Sequence, residues 1–74
     1  MAESEEDELR KQSLQIIVRF NYAMSLERQS RWDSARKIYE EILGMNKNHL
    51  DSQMRLAYTQ FKIGNYAKIK EIFE

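Results

Sequence analysis

Arg31-Trp32-Asp33-Ser34-Ala35-Arg36-Lys37-Ile38-Tyr39-Glu40-Glu41-Ile42-Leu43 decides the fold of this chain, because it is a one-sided helix whose pattern returns later in the sequence. At about 100° per residue, Ala35, Ile38, Tyr39 and Ile42 share one narrow stripe, and Asp33, Lys37, Glu40 and Glu41 fall on the opposite side. One face is therefore expected to be buried and the other solvated. Thirty-four residues on, Trp32 meets Tyr66 and Tyr39 meets Phe73; in the preceding segment, Tyr22 meets Leu56 and Ala23 meets Ala57. A fixed interval of that size with matched small and aromatic positions reads as a helical repeat.

Upstream, Leu9 to Gln29 contains no Gly or Pro, and its apolar positions run without a break. One long helix is expected there, beginning as early as Glu5. The acidic run Glu3 to Glu8 is either a frayed tail or a first helical turn whose dipole favours carboxylates. Ser4 followed by Asp7 has the spacing of a cap. Two apolar stripes share this helix: Tyr22, Ala23 and Leu26 suit a neighbouring helix of the same hairpin, and Ile17, Phe20 and Met24 lie about half a turn away.

Downstream, Gly44 reads as a C-terminal helix stop and Met45 to His49 as a short polar connector. The next helix is expected from about Leu50 to Ile63, with Leu56 and Ile63 on one side and Met54, Tyr58 and Phe61 on the other. Gly64-Asn65 has the composition of a tight turn, after which Tyr66 opens a last helix with an inner stripe of Ile69, Ile72 and Phe73.

Tyr22-Ala23, Leu26, Trp32-Asp33-Ser34-Ala35, Tyr39 and Ile42, with Leu56-Ala57, Gly64-Asn65-Tyr66, Ile69 and Phe73, resemble the tetratricopeptide repeat over about residues 16–74. Three positions depart from the family pattern: Ile69 replaces a small residue, Ser30 the turn glycine, and Lys47 the closing proline. The resemblance implies an all-α fold of two antiparallel helix-turn-helix repeats stacked as a short solenoid, with an extended N-terminal helix. It divides the chain into an acidic lead (1–8) and a repeat domain (9–74), with repeat 1 at about 16–49 and a truncated repeat 2 at about 50–74. It also implies small residues where paired helices approach, here Ala23, Ala35 and Ala57. Because the last expected helix is short and uncapped, and repeat arrays need about three repeats, the chain reads as a piece of a longer protein, or one that dimerises or binds.

In the family, the first helix of each repeat lines a concave groove for peptides or helices. The matching positions are Ile17, Phe20, Asn21, Met24 and Glu27, then Met54, Arg55, Tyr58, Phe61 and Lys62. The candidate partner-binding residues are thus Ile17, Phe20, Met24, Met54, Arg55, Tyr58, Phe61 and Lys62. Aromatic and methionine side chains at helical spacing suit an amphipathic helix or hydrophobic peptide. Phe20 and Met24 stand where some members grip a terminal carboxylate, and neither donates a hydrogen bond, which disfavours a chaperone-tail receptor.

Composition narrows the remaining classes. The formal net charge is zero, but Glu3, Glu5, Glu6, Asp7 and Glu8 hold five of the twelve acids, leaving residues 9–74 seven acids against twelve Lys and Arg. These basic residues read first as solvated helix faces. Without cysteine there is no disulfide framework and no thiolate nucleophile. The one histidine, His49, sits in the connector, where an exposed or capping role outweighs metal ligation. The two glycines stand apart and form no phosphate loop. No cofactor, metal, small-molecule substrate or enzymatic activity is expected.

The longest apolar run, Ile16-Ile17-Val18, is far short of the ~20 residues of a membrane span, and the chain reads as intracellular. The expected function is a protein–protein interaction module or scaffold fragment binding a helix or hydrophobic peptide. The alternatives are a self-association or solenoid-stacking segment that pairs with a second copy of the chain, and an RNA-processing scaffold. The last rests on Ala35 to Glu40, which resemble the half-a-tetratricopeptide repeat, although Arg19 stands where that family shows a tryptophan.

Overall fold

A computed structural model describes residues 5–73, excepting the side chains of Tyr66 and residues 69–73. Three helices follow one another: α1 (Glu5–Arg28), α2 (Trp32–Met45) and α3 (Leu50–Phe73). α2 packs on both α1 and α3. The all-α class, the helical stack and the early start of the N-terminal helix are as the sequence indicates.

The core lies where α2 is sandwiched. Ile16, Ala23 and Leu26 of α1 meet Ala35, Tyr39 and Ile42 of α2, with Phe20, Ile38, Met45 and Leu56 packed around them. Ala23 and Ala35 are fully buried, so the small residues sit where the paired helices close on each other. Asp33, Lys37, Glu40 and Glu41 face solvent, as the one-sided pattern requires. α3 meets α2 through small polar residues: Ser52 and Thr59 are fully buried. Thr59 Oγ1 donates to the Arg55 carbonyl at 2.7 Å, which keeps its hydroxyl satisfied inside the interface.

The chain turns from α1 into α2 through a glycine-type helix stop built on a serine. Ser30 has φ 60°; its N–H donates to the Glu27 carbonyl at 2.9 Å, and the Arg31 N–H donates to the Leu26 carbonyl at 2.9 Å. That pair of bonds closes a helix when one residue enters the left-handed region, where a Cβ is strained. Ser30→Gly is therefore expected to raise stability by about 1 kcal/mol. A rise in the urea midpoint checks it, and a lower midpoint would mean that the serine side chain matters more than the backbone strain.

Four sequence expectations are corrected. α3 continues straight through Gly64-Asn65, so the expected turn and separate last helix do not form. Among the described residues no glycine has a positive φ, and Gly64 takes ordinary helical hydrogen bonding. Gly44 lies inside α2, which ends one residue later at Met45, with the Asn46 N–H donating to the Ile42 carbonyl at 2.8 Å. Ala57 is exposed, because the helix expected to cover it is not folded back. Tyr22 is exposed as well; it lies about 120° round α1 from Ile16, beyond the reach of α2. The Ser4 cap and the Ile69, Ile72 and Phe73 stripe lie outside the described residues.

The result is an elongated body, 62 × 20 × 14 Å, with a radius of gyration of 15.5 Å, against about 11 Å for a spherical chain of this length. A 14-residue α2 spans about 21 Å, while α1 and α3 span about 36 Å each. Both long helices therefore overhang the short one.

Candidate partner-binding surface

At the centre of the α1–α3 contact is a buried carboxylate with two partners. Glu27 of α1, 6% exposed, accepts the Tyr39 hydroxyl of α2 and both prongs of the Arg55 guanidinium of α3. Arg55 Nε lies 3.1 Å from Oε2 and Nη2 2.5 Å from Oε1. One anion thus ties all three helices, with the fork geometry that only arginine offers. The Glu27 carboxylate holds the Arg55 guanidinium more firmly protonated than usual, partly offset by desolvation.

Tyr39 is fully buried. Burial, followed by the hydrogen bond to Glu27 and its charge, pushes the phenol well above its ordinary range, against a smaller opposing effect of Arg55. A phenol kept neutral in the folded state lends stability that is complete below about pH 10, where free tyrosine begins to ionise, and is lost as pH rises above it. The wild-type chain should therefore lose about 1.4 kcal/mol per pH unit above about pH 10 in excess of the Tyr39→Phe variant. Urea midpoints of the two proteins across that range check this; parallel curves would place Tyr39 in water.

From this tie the surface spreads over α3. The Arg55 guanidinium stands 4.9 Å above the Tyr58 ring. Tyr58 meets Trp32 of α2 edge-on at 6.2 Å. Lys62 Nζ lies 5.4 Å from the Tyr58 centroid and 5.9 Å from that of Trp32. A shallow cleft opens beside this cluster, lined by Ser30 to Ser34 and Ile63. Tyr58 remains 41% exposed, so the aromatic cluster has a free face toward solvent.

The eight candidate residues separate into four groups. Arg55, Tyr58 and Lys62 come together in the cluster just described. Phe20 faces the core instead: its ring meets Tyr39 and His49 edge-on, each at 5.7 Å. Ile17 and Met24 stand about 80–100° round α1 from Ile16, on the side from which Phe20 reaches His49 and Glu27 reaches Arg55. Ile17 is 53% exposed and Met24 half-buried, so this flank continues the surface toward the N-terminal end of the stack. Met54 and Phe61, both exposed, lie about half a turn from the buried Ser52 and Thr59 and thus on the outer face of α3.

Trp32, which the sequence reading does not place among the groove positions, enters the cluster from the first turn of α2. Glu27, which that reading does place there, acts as the anchor of the cluster rather than as a groove lining. His49 takes the capping role: the Ser52 N–H donates to its Nδ1 at 3.2 Å, with Ser52 Oγ 2.7 Å from the same nitrogen, at the start of α3. Among the described residues no group of three His, Asp or Glu is placed to hold a metal ion, and no helix is long and apolar enough to cross a membrane.

A family model described as tetratricopeptide repeat matches residues 18–48, which span the second half of α1, all of α2 and most of the connector. The match covers the buried stripe from Phe20 to Ile42, so the α1–α2 hairpin is similar to one such repeat in both sequence and packing. Neither the curated proteins nor the solved structures contain a match to the chain.

Proposed function

We infer, proceeding from a tetratricopeptide-type hairpin at residues 18–48, that this chain is a protein–protein interaction module of a non-catalytic scaffold, working inside the cell. Its proposed ligand is a helix or a hydrophobic peptide, received along Ile17 and Met24 of α1 and the Trp32–Tyr58–Lys62 cluster. The observation that carries this reading is the cluster itself. Two rings and an ammonium group are held together on a rigid tie, yet one ring stays substantially open. Rigid aromatic surface beside a cation gives large contact area at little conformational cost, the property that concentrates binding energy at protein interfaces.

Selection of the folded chain against a displayed library of amphipathic-helix peptides tests this. Selected peptides should lose binding about tenfold or more to Tyr58→Ala or Ile17→Asp, with both variants still folded and unfolding cooperatively. Recovery of peptides that bind both variants as well as the wild type would reject the surface. Phe20→Ala is unsuitable, since Phe20 supports Tyr39.

Two of the arginines that a phosphate-binding reading would call on are already engaged by carboxylates. Arg36 is engaged by Asp33 at 3.8 Å and Glu40 at 4.0 Å, and Arg19 approaches Glu41 at 3.7 Å. The stacking alternative concerns a different surface, the outer face of α3.

A further inference from the structure

The outer face of α3 carries Leu50, Met54, Ala57 and Phe61. Leu50, Met54 and Phe61 are 69%, 70% and 62% exposed, and Ala57 is exposed too. Their spacing of four, three and four residues aligns them in one stripe, far more apolar surface than a helix wet on that side needs.

The repeat interval identifies what fits this stripe. Thirty-four residues earlier stand Ile16, Phe20, Ala23 and Glu27, the α1 residues that α2 covers. The same interval carries Trp32 to Tyr66, Ala35 to Ile69 and Tyr39 to Phe73. By repetition, the segment that covers Met54–Phe61 is 66–73. The change of polarity from Glu27 to Phe61 makes this stripe wholly apolar where the first holds a buried carboxylate bonded to Tyr39.

In the α1–α2 hairpin the reversal is made at Ser30 with φ 60°, and the position that corresponds to Ser30 is Gly64. Here Gly64 stays inside a continuous helix. An unbroken helix rises about 1.5 Å per residue, so it carries 66–73 from about 7 to about 18 Å beyond Phe61 along the axis, away from the stripe of its own chain. In this conformation only another molecule supplies that segment to that stripe.

We propose that two copies of the chain associate by exchange. Each lays its 66–73 segment along Met54, Ala57 and Phe61 of the other, with the two α3 helices antiparallel and a two-fold axis near Ile63 and Gly64. Applying the interval to the buried Ala23 and Ala35 pairs Ala57 of one copy with Ile69 of the other. At the crossing, Gly64 has no side chain and open space around its Cβ position, which permits close approach of the two backbones. The interface is isologous and uses the repeat's own contacts, so exchange needs no surface beyond those already present.

The test uses the full 74-residue chain in two single-cysteine variants, Ala57→Cys and Ile69→Cys, mixed and treated with a short bis-maleimide. The expected product is the mixed covalent dimer, formed in large excess over a control mixture of Ala57→Cys with Lys37→Cys. Sedimentation should show a dimer that dissociates on dilution. Phe61→Glu should weaken it about tenfold or more, since burying a large apolar side chain exceeds that factor in an equilibrium constant. Phe61 is exposed, so the variant keeps its helicity and the loss reports association alone. If a double Ala57→Cys, Ile69→Cys chain instead cross-links within a monomer, the chain folds its own 66–73 back at Gly64 and the exchange is overturned. It is equally overturned if neither preparation cross-links above the control, or if Phe61→Glu leaves association unchanged.

Discussion

Replacing Tyr39 by alanine is expected to unfold most of the isolated chain at room temperature. Tyr39 is fully buried between α1 and α2, meets Phe20 edge-on and donates to Glu27. Deleting a buried aromatic side chain costs about 3–5 kcal/mol, and a core in a chain this small contributes about 3–5 kcal/mol in all. The two quantities are comparable, so the variant has little stability left. Loss of Tyr39 also strips one partner from a carboxylate that is almost wholly buried. Far-ultraviolet circular dichroism with urea titration checks the expectation; a cooperative transition within about 1 kcal/mol of wild type would mean that the three helices are held together elsewhere. Tyr39→Phe keeps the ring and removes only the hydroxyl, at a cost of about 1 kcal/mol.

Arg55→Ala should be the second most damaging change. Removing one member of a buried ion pair costs about 3–5 kcal/mol because the other charge is left without compensation. Arg55 is 35% exposed at its side chain while Glu27 is only 5% exposed, so water replaces part of what the guanidinium supplied, and about 2 kcal/mol is expected. Arg55→Lys should recover little, since an ammonium group cannot bond both carboxylate oxygens in parallel. The double replacement Glu27→Met with Arg55→Met should recover most of the loss, leaving only the Tyr39 hydroxyl unpartnered. Denaturation midpoints around this cycle decide the matter. A double variant as unstable as Arg55→Ala would show that the arginine acts through packing on Tyr58 rather than through charge.

These two residues also show how far the sequence could be read. Tyr39 was legible because its stripe is local: Ala35, Ile38, Tyr39 and Ile42 fall on one side by helix geometry alone. Arg55 and Glu27 were placed in a groove by resemblance, but their pairing joins residues twenty-eight positions apart, and no periodicity reports a contact between helices. Phe20 was assigned to the second stripe of α1. It sits only about 40° from Ile16, close enough for a long aromatic side chain to reach Tyr39 and His49. Ser52 and Thr59 are polar by type, yet they occupy the Leu56 and Ile63 face and are fully buried, and small hydroxyl residues permit close packing once their oxygens are satisfied.

The amino-acid sequence by itself determined the helical class, the α1–α2 hairpin, its 34-residue echo in α3 and the approach of Ala23 to Ala35, because each follows from spacing along one helix or from a small residue where bulk does not fit. Only the tertiary structure decided that α3 runs on through Gly64-Asn65, that Glu27 is an anchor, and that Met54 and Phe61 look outward. A glycine inside a helix costs only about 1 kcal/mol, so local composition permits a turn there without imposing one. What settles the matter is whether the following segment has a surface to pack against, and that is a property of the assembled helices.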